Sequence, residues 1–108
     1  MRQATLKQAE VCADMNIAMA FETEGKRLDK KVTLQATIEV VKNPKLGYYL
    51  VAYDKDKKPV GTTAVTYEVS PAFGGIIHWI QSVYVMPEAR GQGVFRALYT
   101  HVVKNAKK

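Results

Sequence analysis

The sequence predicts an α+β fold: a mainly antiparallel, mixed sheet with helices on both faces, built as one domain over residues 1–108. Three observations carry this. Two helical segments come first, then three strand-like segments, then a last helix. The strands are joined by turns too short for a parallel crossover, so neighbours should run antiparallel. Finally, 108 residues that are 47% apolar and 9% aromatic suffice for a core without disulfide or metal.

The elements follow in order. Asp14–Glu24 is a helix, with Cys12, Met15, Ala18 and Met19 on one small or apolar face. Asp29 is placed to cap a second helix that carries Leu34, Ile38 and Val41 at helical spacing. Asn43-Pro44 stops it. Tyr48–Tyr53 reads as a strand, and Asp54–Pro59 as a charged turn. Val60–Val69 alternates like the next strand, Ser70–Gly75 is a loop, and Ile76–Val85 is a further strand. The last helix runs from Gln92 to Asn105, apolar at Val94, Leu98 and Val102.

Chemistry concentrates between the last strand and the last helix, in the run Val83-Tyr84-Val85-Met86-Pro87-Glu88-Ala89-Arg90-Gly91-Gln92-Gly93-Val94-Phe95-Arg96. A helix start leaves about four N–H groups unpaired and carries partial positive charge. Gly91 and Gly93 allow unusual dihedrals and close approach, and Arg90 brings a donor fork suited to phosphate oxygens. Such a turn implies a phosphate or pyrophosphate on the helix N-terminus. On spacing alone it serves equally as a plain strand-to-helix turn. A dinucleotide fingerprint lacks its third glycine, and a P-loop lacks Gly-Lys-Ser/Thr.

The residues Val83–Val94 resemble the acetyl-CoA segment of the GNAT N-acetyltransferase superfamily, which carries Q/R-x-x-G-x-G/A after an apolar strand ending before a Pro. Arg90, Gly91 and Gly93 fit, and Phe95 stands where the family carries Gly or Ala. The resemblance spans nearly the whole chain. It makes Arg2–Thr5 a first short strand, giving a four-stranded GNAT-like (acyl-CoA N-acyltransferase) fold truncated after the third helix. It also implies acetyl-CoA as co-substrate and an amine as acceptor. Val83, Tyr84 and Val85 would lie along the pantetheine, mainly through backbone. Arg90, Gly91, Gln92, Gly93, Val94, Phe95 and Arg96 would hold the diphosphate. Family members continue into a fifth strand, so a fourth strand with Ile76, Ile77 and Ile80 would present an unpaired edge. That implies a homodimer through this strand or the last helix.

Catalysis requires a deprotonated amine and a proton for the leaving thiolate. Many family members place a glutamate five residues before the position of Tyr84; here Trp79 occupies it, which cannot act as a base and either lines an acceptor pocket or packs in the core, core being the expectation. Glu22, Glu24 and Glu68 are the carboxylates near the acceptor side. Glu22 and Glu24, at the end of the first helix, are the candidate catalytic residues, against the plainer reading of exposed helix-end charges. His78 alternates with Trp79, so only one of them faces the cleft.

Composition narrows the function classes. The net charge is +6, and from Val69 onward five basic residues (Arg90, Arg96, Lys104, Lys107, Lys108) oppose Glu88, in the half that would meet the coenzyme's phosphates. The lysines are dispersed without interleaved aromatics, which argues against nucleic acid. Cys12 is the single cysteine, expected in the core, and fits a cytoplasmic protein. No segment is apolar for long enough to span a membrane, and no metal-ligand pattern stands out. The expected function is acetyl transfer to an amine. The alternative is a non-catalytic acyl-CoA-binding or assembly module.

Overall fold

Four strands pair antiparallel in chain order: β1 (Arg2–Gln3), β2 (Gly47–Tyr53), β3 (Pro59–Ser70) and β4 (Gly75–Val85). The computed structural model describes residues 1–72 and 74–107. Phe73 of the expected 70–75 loop and Lys108 of the basic tail lie outside the described residues. Three helices complete the chain: α1 (Ala9–Glu24), α2 (Lys30–Lys42) and α3 (Val94–Ala106).

Helix boundaries follow from their caps. α1 starts earlier than expected, at Ala9. A 3-10 turn over Leu6–Gln8 feeds it, closed by the Thr5 amide donating to Gln8 Oε1 at 2.9 Å. It ends at Gly25, whose φ of 65° suits a left-handed cap. Asp29 caps α2 as expected, its Oδ1 accepting from the Val32 amide at 3.0 Å. α2 packs against α1 and reaches the sheet at β2. Its innermost residue is Thr37, not the expected Leu34, Ile38 and Val41, which are only half-buried. The Thr37 hydroxyl is satisfied within the helix by donating to the Thr33 carbonyl at 2.8 Å.

The sheet separates two cores. On one face Leu50 and Val65 meet Leu98 and Val102 of α3. On the other, Val51 and Ala64 meet Cys12 of α1. Cys12 is fully buried, with its Sγ 3.7 Å from the Thr62 hydroxyl. Burial pushes its thiol up to about 11, so it is an inert core residue.

Register decides which β4 side chains reach which layer. Ala64 pairs with Ser82 but Val65 pairs with Ile80, so Gln81 is an extra residue, a β-bulge. Beyond it the alternation is reset. Trp79, opposite Thr66, therefore shares the α1 face with Tyr84, although an odd number of positions separates them. His78 takes the α3 face, edge-on to the Tyr67 ring at 4.8 Å between centroids. The core position expected for Trp79 is overturned: the indole is 48% exposed, because α1 covers only the far half of this face.

Leu98 is fully buried against the sheet, whereas its neighbour Tyr99 is exposed. Leu98→Ala should cost about 3 kcal/mol, from lost transfer energy plus a cavity. Tyr99→Ala should stay within about 0.5 kcal/mol. Urea unfolding of the two variants checks this. Equal losses would show that α3 is not docked through Leu98.

Candidate functional site

β4 ends at Val85, and the Met86 amide closes it by donating to the Val60 carbonyl at 2.8 Å. A 3-10 turn over Pro87–Ala89 follows, then Gly91 and Gly93 at φ 83° and 84°. This left-handed pair turns the chain from strand into helix. It also explains why α3 starts at Val94 and not at the expected Gln92, since Gly93 stands in the cap position outside the helix. No side chain caps α3, so the N–H groups of its first turn are left to a ligand or water. A Cβ at Gly91 or Gly93 would meet nothing within 4 Å; the turn needs glycine for its dihedrals, and its surface is open.

A cavity of about 910 Å³ opens above this turn. Its walls come from the end of α1 (Met19, Glu22, Thr23), the end of β4 and the start of α3. Nine of the ten residues expected at the coenzyme line it: Val83, Tyr84, Val85, Arg90, Gly91, Gly93, Val94, Phe95 and Arg96. Gln92 does not. Its amide nitrogen folds back to the Glu88 carbonyl at 3.3 Å, on the far side of the turn.

One constellation spans the cavity. The Arg90 Nε donates to the Val85 carbonyl at 2.9 Å, and Nη2 donates to both Glu22 carboxylate oxygens at 2.9 and 3.1 Å. The guanidinium lies over the Tyr84 ring, 5.5 Å from its centroid. The Tyr84 side chain is itself buried, with its hydroxyl close enough to Glu22 to interact electrostatically. Tyr84 first and Arg90 second hold the Glu22 carboxyl below the usual carboxylate range. Burial, reinforced by the Glu22 carboxylate, pushes the Tyr84 hydroxyl up. The bond to Glu22 raises Arg90 in turn. The end of α1 is thereby tied to the end of β4 by charge-assisted bonds.

Of the two candidate carboxylates, only Glu22 reaches the cavity. Glu24 turns outward, pairing with Lys26 at 3.1 Å on the exposed helix end. The Tyr84 side chain, expected to contribute less than its backbone, lies beside Glu22 and under the Arg90 guanidinium. Sequence reasoning missed a second tie. Asn16 donates to the Tyr49 hydroxyl at 3.1 Å and accepts from the Ser82 hydroxyl at 3.2 Å, pinning α1 across β2 and β4. No local pattern signals it, because the partners lie 33 and 66 positions apart. Among the described residues, no group of three or more His, Cys, Asp or Glu could hold a metal. Nor is any helix among them long and apolar enough to cross a membrane.

The family model described as acetyltransferase (GNAT) family matches residues 13–108. Solved structures agree with it. A "possible acetyltransferase" from Clostridium difficile 630 is 34% identical with a TM-score of 0.90, over 99% of this chain and 70% of that one. Two others show the fold alone. A predicted acetyltransferase with acetyl-CoA from Clostridium acetobutylicum is 19% identical, TM-score 0.81, over 98% of this chain and 71% of the other. The ribosomal-protein-alanine N-acetyltransferase from Brucella melitensis biovar Abortus 2308 is 18% identical, TM-score 0.75, over 98% and 69%. Among curated proteins there is no significant match.

The Glu22 linkage has a defined sign. A carboxyl depressed in the folded state stabilises the fold above its unfolded pKa of about 4.3 and loses that contribution as pH falls through the lower folded value. Glu22→Gln should therefore show a shallower loss of urea midpoint between about pH 5 and pH 3 than the parent chain. Parallel acid limbs in the two proteins would show that Glu22 is not held by Tyr84 and Arg90 in solution.

Proposed function

The chain belongs to the GNAT acetyltransferase family, and on that premise we propose that it transfers an acetyl group from acetyl-CoA to an amine. The observation that carries this reading is the cavity at the uncapped N-terminus of α3. The coenzyme diphosphate would rest on the N–H groups of residues 91–96, where unpaired donors and the helix dipole favour an anion. The pantetheine arm would run beside Val83–Val85 on the open edge of β4, pairing with its backbone. Arg90 and Arg96 add positive charge at the mouth. Bound phosphate would compete with Glu22 for the Arg90 guanidinium.

Glu22 supplies a fixed negative charge beside the Arg90 guanidinium. Both of its oxygens already accept from Arg90, which suits it to anchoring that side chain. With Glu24 turned away and Trp79 at the position of the family's strand glutamate, none of these three groups supplies a strong base. That favours keeping the second reading, a module that binds acyl-CoA without turnover, as the alternative. A cytoplasmic setting is consistent with one buried, unpaired thiol. The exposed Ile76 and Ile80 on an edge strand support association of two copies. Light scattering tests that part: a dimer mass at micromolar concentration is expected, and a monomer mass refutes it.

Titration calorimetry with acetyl-CoA tests the central reading. The chain should bind, and Gly91→Val should weaken binding at least about tenfold, by putting a β-branched residue at a left-handed position facing the ligand. A circular dichroism spectrum matching the parent keeps that comparison valid. Binding followed by acetylation of a member of an amine panel supports the transferase. Binding without turnover supports the module, and no binding removes both.

A further inference from the structure

Among the described residues Glu39, Asp56 and Glu68 have no cation partner, and of these Glu68 alone accepts from a side chain. Glu10, Asp14, Glu22, Glu24 and Glu88 each pair with a lysine or arginine of the chain. Asp29 and Asp54 accept backbone amides as a cap and a turn. Glu68 does neither. Among the described residues no cation pairs with it, and its Oε1 accepts from the Trp79 indole Nε1–H at 2.8 Å. Both side chains are exposed, in a chain with a formal charge of +6.

The pair is built by register. Trp79 stands opposite Thr66, and Glu68 stands opposite Ile77, so carboxylate and indole are diagonal neighbours on one sheet face. Beside them Gln81 donates its side-chain amide to the Thr66 hydroxyl at 2.8 Å, fixing the next polar group on the same strip. Because of the Gln81 bulge, this strip shares its face with Tyr84 and lies on the strand along which the acyl arm would run. Trp79 and Val83 pair with Thr66 and Thr63, three positions apart on β3, which is about 10 Å at the rise of an extended strand.

We propose that Glu68 and Trp79 form a recognition site for an alkylammonium group. A carboxylate held by an indole N–H keeps its other lone pairs for a second donor, and the exposed indole face attracts a cation beside it. An ammonium fits both at once, while its alkyl stem finds apolar surface on the ring. A neutral alcohol lacks the charge, and an anion is repelled. On the acetyltransferase reading, the bound ion is the cationic acceptor, or a second ammonium of an acceptor with several; the site itself does not depend on that reading. Glu68 binds the ion, and Trp79 is a positioning residue that also offers its ring.

Trp79 is the single tryptophan of the chain, so its emission reports on the site alone. Cadaverine, a linear diammonium, is the probe, titrated at constant ionic strength with 1-pentanol as the neutral control. A saturable change in Trp79 emission is expected with cadaverine and not with pentanol. Glu68→Gln should raise the half-saturation at least about tenfold, the loss expected for a charge-assisted bond. Glu39→Gln, an exposed carboxylate on α2, should leave it unchanged. No saturable change in the parent, or equal half-saturation in Glu68→Gln, overturns the inference. Acetyl-CoA calorimetry on the same samples separates the two readings. Ammonium binding without coenzyme binding removes the transferase and keeps this site, and the reverse removes this site alone.

Discussion

Gln81 is one residue more than β3 can pair with, and the arrangement of β4 depends on it. A strand alternates its side chains strictly, so an inserted residue transfers every later position to the opposite face. Without the bulge, Val83 and Val85 could not join the α3 core while Tyr67 and His78 also pack on that side. With it, Tyr84 and Trp79 both point to the α1 face. The bulge therefore sets which side chain meets Glu22 and which indole meets Glu68.

A second constraint is the tie between the first helix and the last strand. Arg90 has three hydrogen bonds on the Val85 carbonyl and the Glu22 carboxylate, all at the rim of the cavity. Asn16 makes a neutral tie further along the same helix. The cavity wall is thus held at both ends of its contact with β4, one end by charge and the other by neutral side chains.

The position of the turn was legible because it is written in local chemistry. Pro87 ends strand pairing, Gly91 and Gly93 take positive φ, and the amphipathic run from Val94 through Leu98 to Val102 supplies the helix. Its start was misjudged at Gln92, because a left-handed glycine and a polar neighbour look helical when only apolar spacing is counted. Glu22 was legible as a carboxylate near the site, but Glu24 looked equivalent. Two positions along a helix separate them by about 200° of rotation, so only one can face the strand.

By itself the sequence determined element type, element order, antiparallel neighbours and the anion-ready turn, since each rests on contacts within a few residues. It also carried the family resemblance, through the same local segment. Tertiary structure alone decided the faces of β4, the exposure of Trp79, the pairing of Glu22 with Arg90 and the company of Glu68. Each of those depends on register or on partners far apart in the chain. Register comes from the whole strand pair, with a bulge that no single residue announces. That is why strand alternation left His78 and Trp79 interchangeable, and why folding was needed to separate them.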